Sequence, residues 1–246
     1  MKTSSRRTFC CIIAISIGFA IGSCSKVEPP KKEPPTPSSE SQGIAGEQQK
    51  RLEESKNTAA AKVDGIPISR FDLVAEMNAI APQYIKPGQK RDPKTDEKVR
   101  KEALNRLIDR ELAVQAAKKQ GMKAPAEAVA EELKRIKEEM KTEDAYRKNL
   151  ATSGITEEDL KMRIERNLLV EMITEKEVFG KAVVDPEEAR KVYEKKYASR
   201  KGPSRPMTFE EARPLIDKEL MTAAVQKRED EWVREMRKGA KIEIAP

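Results

Sequence analysis

Through most of the chain beyond residue 68, apolar side chains return every three or four positions, the spacing of one face of a helix. Phe71, Val74, Met77, Ile80 or Ala81, and Tyr84 mark the first such run. Ser69 stands at its start as a cap with Asp72 three residues on, and Pro82 and Pro87 end it. A second run, Thr95 to Gln120, carries Val99, Ala103, Leu104, Leu107, Ile108, Leu112 and Ala116, with Gly121 as its stop. Pro125 opens a third, in which Val129, Leu133, Ile136 and Met140 form the stripe. Thr142 caps a fourth ending at Gly154, and Thr156 with Asp159 caps a fifth with Leu160, Ile164, Leu168 and Met172. Asp185-Pro186 opens a sixth, with Val192, Tyr193 and Tyr197 as its apolar contacts. Thr208 with Glu211 opens the longest, whose expected buried side includes Leu215, Ile216, Leu220, Ala223, Ala224 and Trp232.

Two segments follow the period of two instead. Val63-Asp64-Gly65-Ile66 sets an Asp-Gly pair between β-branched residues, the signature of a two-residue hairpin turn. Near the end, Ala240-Lys241-Ile242-Glu243-Ile244 alternates as a short strand that needs a partner such as the hairpin near Val63. These patterns predict a mainly α fold with a small β element formed by the hairpin and the C-terminal strand.

The beginning of the chain is of a different kind. The 13 apolar or small residues from Phe9 to Ile21 follow Lys2, Arg6 and Arg7 and fall short of the roughly 20 that span a bilayer. This is the layout of an export signal, and Ser5-Arg6-Arg7-Thr8-Phe9 also looks like the twin-arginine pattern of folded export. Ile21-Gly22-Ser23-Cys24 resembles a bacterial lipobox, in which the cysteine is acylated and becomes the first mature residue; the alternative is an ordinary secretory cleavage nearby. The expected organisation is a signal peptide over 1–23, a lipid-anchored disordered tether over 24–59, and a folded domain over 60–246; the tether is rich in Pro, Ser, Lys and Glu to about Ser41 and polar, with transient helix, over 44–58. Cys10 and Cys11 leave with the signal, so the mature chain can form no internal disulfide.

Composition narrows the chemistry. Removing residues 1–23 takes away three of the 49 basic residues and none of the 42 acidic ones, lowering the formal charge from +7 to +4. Those charges are interleaved along helical segments, which is a solvated surface and no footprint for nucleic acid. A chain without histidine lacks the usual general base, the usual zinc ligand and every Ser-His or Cys-His nucleophile. Neither a G-x-x-x-x-G-K-[ST] loop nor a G-x-G-x-x-G occurs, so the expectation is no catalytic residue, no metal and no cofactor.

Taken in order, VDGIPISRFDL at 63–73, EALNRLIDRELAVQAAKKQGM at 102–122, ITEEDL at 155–160 and VDPEEARKVYEKKY at 184–197 resemble the SurA-like N-terminal chaperone domain family, which SurA shares with PrsA-type foldases. TFEEARPLIDKEL at 208–220 and KIEI at 241–244 resemble the segment that returns to complete that domain. Isomerase relatives carry a parvulin domain of about a hundred residues between these two blocks, whereas here Ala198 to Pro206 is nine residues. The resemblance therefore implies an ATP-independent, periplasm-facing lipoprotein chaperone without prolyl isomerase chemistry. Its implied partners are unfolded exported polypeptides, possible outer-membrane proteins among them, with the membrane reached through lipid on Cys24, most simply at the outer membrane. The competing expectations are a structural or assembly lipoprotein that binds one specific partner and, behind it, a protein related to the prolyl isomerases. Because methionine adapts to varied apolar surfaces, Met77, Met140 and Met162, together with Tyr84, are the candidate client contacts.

Overall fold

The computed structural model describes residues 47, 50–85, 92–198 and 207–245. Cys24, the signal segment and the tether up to residue 46 lie outside the described residues, as do residues 199–206 of the short connection. Two compact units share the chain. Among the described residues, one takes those up to Glu111, Thr152–Gly154 and 240–245; the other combines Leu112–Ala151 with 155–198 and 207–239.

The first unit is built on a three-stranded antiparallel sheet in the order β2-β1-β3, with β1 at Ala59–Val63, β2 at Ile66–Ser69 and β3 at Ile242–Ile244. The hairpin turn has φ of 50° at Asp64 and 82° at Gly65, so both central residues occupy the left-handed region that an Asp-Gly pair tolerates. Val63 faces Ile66 on one side and Ile242 on the other, and Ala61 faces Ile68 and Ile244. Paired residues share a face, so the alternating apolar positions of all three strands lie together, with Ala61, Val63 and Ile68 buried. The C-terminal strand thus pairs where its pattern required. Asp64 also fastens it: its N–H donates to the Lys241 carbonyl at 2.9 Å, and the Lys241 N–H donates to the Asp64 carboxylate at 2.7 Å.

A helical segment, α1, occupies residues 50–57, ahead of the start near Ala60 that composition suggested. It is ordered by packing: a Cβ on Gly154 would lie 2.7 Å from Leu52 Cδ2, so the glycine is what lets Leu52 seat against this turn. After β2, Ser69 caps α2 (Arg70–Ile80), accepting from the Asp72 N–H at 3.0 Å and donating to its carboxylate at 2.7 Å. The buried side of α2 is Leu73, Glu76 and Ile80, and Val74, expected on the apolar stripe, is 55% exposed. The pattern failed here because it counted only apolar residues. Glu76 is buried on that face, with Arg110 of α3 (Pro93–Lys119) at 3.5 Å. Val99, Ala103, Leu104 and Ile108 of α3 are buried as their spacing predicts.

Among its described residues, the second unit holds the last turns of α3 and five further α-helices. These are α4 (Ala126–Glu139), α5 (Glu143–Ser153, whose end belongs to the first unit), α6 (Glu157–Glu177), α7 (Pro186–Tyr193) and α8 (Phe209–Lys238). Their starts follow the sequence signals. Ala145 N–H donates to Thr142 Oγ1, and reciprocal capping boxes join Thr156 to Asp159 and Thr208 to Glu211. Pro125 is the cap of α4 and not its first residue.

Burial departs from the stripes on α6 and α8. On α6, Leu160 and Ile164 are buried as expected, but the second half buries Leu169, Val170, Ile173 and Thr174. A simple stripe assumes one neighbour along the whole helix, whereas Lys176 and Glu177 at the far end of α6 bond Gln120 just past α3, and Glu177 also bonds Arg228 of α8. On α8, Ile216 and Trp232 are buried, while Leu215 is 52% exposed and Ala223 is also exposed. α7 and α8 close on Ala189, Ala212 and Ile216, with Val192, Tyr193, Tyr197 and Phe209 packed around them. The Tyr193 hydroxyl donates to the Met207 carbonyl at 3.0 Å, and its ring meets Phe209 edge-on with centroids 5.4 Å apart.

Candidate functional site

Surfaces that could hold another chain are found where apolar side chains escape the cores just described. In the first unit, the first turns of α2 bring Arg70, Leu73, Val74 and Met77 onto one helix face, at offsets of zero, three, four and seven. This face, Arg100 of α3, and Ala60 and Ala245 at the end of the sheet line an open groove of about 280 Å³. Met77, a sequence candidate, is therefore half-buried in the wall of this groove. Tyr84 is half-buried under the Lys98 ammonium, which sits 5.0 Å from its ring centroid.

The outer edge of β3 belongs to the same unit. Because the Asp64 N–H reaches the Lys241 carbonyl and the Ala245 N–H reaches the Ala60 carbonyl at 3.0 Å, positions 241, 243 and 245 turn their backbone groups toward β1. Those of Ile242 and Ile244 consequently turn outward, and the Ile244 side chain is 61% exposed.

In the second unit, Met140 is half-buried as the C-cap of α4. A shallow depression beside it is lined by Leu133, Lys134, Lys137, Lys141 and Glu143. Below the lysines, the buried Tyr146 hydroxyl donates to Glu157 at 3.1 Å, and Lys137 reaches the same carboxylate oxygen at 2.8 Å. Burial, with the neighbouring Glu157 second, pushes the Tyr146 hydroxyl up to about 12. The hydrogen bond from Lys137 holds the Glu157 carboxyl below its ordinary 4.5. A tyrosine kept neutral beside a carboxylate kept charged is a structural brace between α5 and the start of α6. Met162, also on α6, is 49% exposed, the freest of the four candidates.

The four candidates therefore divide evenly between the two units, and Met77 lines the groove beside α2. Sequence periodicity missed Arg70, Arg100 and the exposed side of Val74. The signal that could have found them is the offset pattern 70, 73, 74 and 77, a face of α2 that shares Leu73 with the buried one and turns away from Glu76 and Ile80. Among the described residues no helix is long and apolar enough to cross a membrane, and no group of three or more acidic, Cys or His side chains could hold a metal.

No curated protein matches the chain. Among solved structures, the chain is similar to one from work on Campylobacter jejuni that describes the virulence factor PEB4 and the periplasmic protein Cj1289 as two structurally related SurA-like chaperones. The identity is 15% and the TM-score 0.46, over 77% of this chain and 99% of that one. The profile of the SurA-like N-terminal domain matches residues 44–174, from ahead of α1 to within three residues of the end of α6. With more than half of its 246 residues inside that match, the chain belongs to the SurA-like N-terminal domain family.

Proposed function

We propose that this protein is a lipid-anchored, ATP-independent chaperone that faces the periplasm and binds unfolded exported polypeptides, outer-membrane proteins in transit among them. The observation that carries this reading is the set of large apolar side chains left outside the cores. Ile66, Val74 and Ile244 stand exposed in the first unit, and Met162, Val183, Leu215 and Met221 in the second. Side chains scattered in this way make many weak, adaptable contacts with an extended chain, which suits a holdase better than a site shaped for one small ligand. The family supports a chaperone role, and the nine residues from Ala198 to Pro206 leave no room for an inserted isomerase domain. The boundary Ile21-Gly22-Ser23-Cys24 supports the anchor. Several acyl chains on one cysteine would make membrane attachment durable where one chain would not.

The test uses the full-length chain in mild detergent with several chemically unfolded clients and no nucleotide. Light scattering should fall at near-stoichiometric protein, while a proline peptide, whose uncatalysed exchange takes tens to hundreds of seconds, should isomerise no faster. Unchanged scattering with every client, together with one stoichiometric crosslinked partner, would replace the chaperone with an assembly lipoprotein. Intact-mass analysis should find lipid on Cys24; an unmodified N-terminus elsewhere would remove the anchor.

A further inference from the structure

We infer that the groove between α2, Arg100 and the end of the sheet binds extended client segments in which an apolar side chain stands next to a carboxylate. The inference rests on the chaperone reading for the class of occupant and adds what the groove selects. Its wall is apolar: Ala60 and Leu73 are buried, Val74 is mostly exposed, and Met77 is half-buried and flexible. Both charged members of the lining are cationic. Arg70 and Arg100 are exposed, and among the described residues neither has an ion pair.

Several arginines elsewhere are tied to acids instead. Arg51, Arg106, Arg135, Arg147 and Arg213 each meet a carboxylate on their own helix. Two guanidinium groups without an acid beside an apolar wall repel a basic occupant and attract an acidic one. Each presents a planar fork that fits a carboxylate through two parallel hydrogen bonds. An extended occupant also suits the setting. The outward backbone groups of Ile242 and Ile244 can pair with a strand that runs along β3 toward Ala245, where the groove begins.

The experiment measures fluorescence anisotropy of labelled extended peptides against the full-length chain. One peptide alternates Leu with Glu, a second replaces each Glu by Gln, and a third replaces it by Lys. The Glu peptide should bind about threefold to tenfold tighter than the Gln peptide, the range of one or two exposed ion pairs. The preference should fade at high salt. Arg70→Gln with Arg100→Gln should abolish it at unchanged helicity, and Arg100→Glu should shift preference toward the Lys peptide. Equal binding of the Glu and Gln peptides to the unaltered chain, or a preference that survives the double substitution, overturns the inference. If that occurs while client aggregation is still suppressed, the groove's selectivity falls and the chaperone stands. If acidic peptides bind through the arginines while no unfolded client is held, the groove is a peptide site and the general chaperone reading falls.

Discussion

Arg228, in the middle of α8, donates from Nε to the backbone carbonyl of Glu177, the last residue of α6, at 3.0 Å. Carbonyls in the last turn of a helix have no partner within it, so this guanidinium completes α6 from outside. Its two outer nitrogens hold both oxygens of Glu235 at 3.1 and 3.3 Å, which fixes the fork in place. The Glu235 hydrogen bond is also the main reason the guanidinium is held above its ordinary range.

Replacing Arg228 with Gln should lower the thermal unfolding midpoint by several degrees, the effect of losing about 1–2 kcal/mol in a chain of this size. Arg228→Lys should recover less than half of that loss, since an ammonium cannot span a carbonyl and a carboxylate as the planar fork does. Full recovery by lysine in a melting experiment would show that charge alone matters.

Glu177 gives the same region a dependence on acid. Its carboxyl is held below the ordinary 4.5 chiefly by Lys181, and next by the Gln120 amide at 3.0 Å. A carboxyl lowered on folding stabilises the folded state above its unfolded value, and that contribution disappears as pH falls through the folded one. Urea midpoints should therefore drop as pH is lowered from 4.5, and Glu177→Gln should make that part of the curve shallower while costing stability at neutral pH. An identical slope in the variant would remove Glu177 from the titration.

Gly154 tests whether α1 is part of the folded domain. Its φ of +66° costs an ordinary L-residue about 1–2 kcal/mol, and an added methyl would meet Leu52. Gly154→Ala should be destabilising, and in a Leu52→Ala background the extra loss should shrink to the backbone part alone. A double-mutant cycle with no coupling would mean that Leu52 does not rest there in solution.

Two prolines read the register of β3. Position 243 turns its N–H to β1, so Glu243→Pro should break a ladder bond and lower stability by about 1 kcal/mol or more. Position 244 turns its N–H outward, so Ile244→Pro should be tolerated far better despite the lost side chain. Equal losses in chemical denaturation would contradict the register.

What could be read from the sequence was local. Ser69, Thr156 and Thr208 announce helix starts within three residues of themselves, and Asp64-Gly65 specifies its own turn. The returning strand was legible because Ile242 and Ile244 cannot be satisfied alone. What escaped depends on neighbours distant in the chain. Glu76 is buried because Arg110 lies across from it, the far end of α6 bonds Gln120 from 57 residues earlier, and Arg228 finds a carbonyl 51 residues earlier. The groove was hidden for the same reason, since Arg100 joins the α2 face only once α3 is in place.

The pairing of Asp64 with Lys241 joins residues 177 positions apart, so the central strand β1 acquires its second neighbour only once residues 241–245 have been made. Until then β1 has the adjacent hairpin but an open edge, and the entropy of closing so long a loop is met only when β3 arrives. The arrival of β3 therefore marks the point at which this sheet can close. A product broken off anywhere before Ile242 keeps an unpaired apolar strand edge, the kind of surface on which chains aggregate and which quality control can detect.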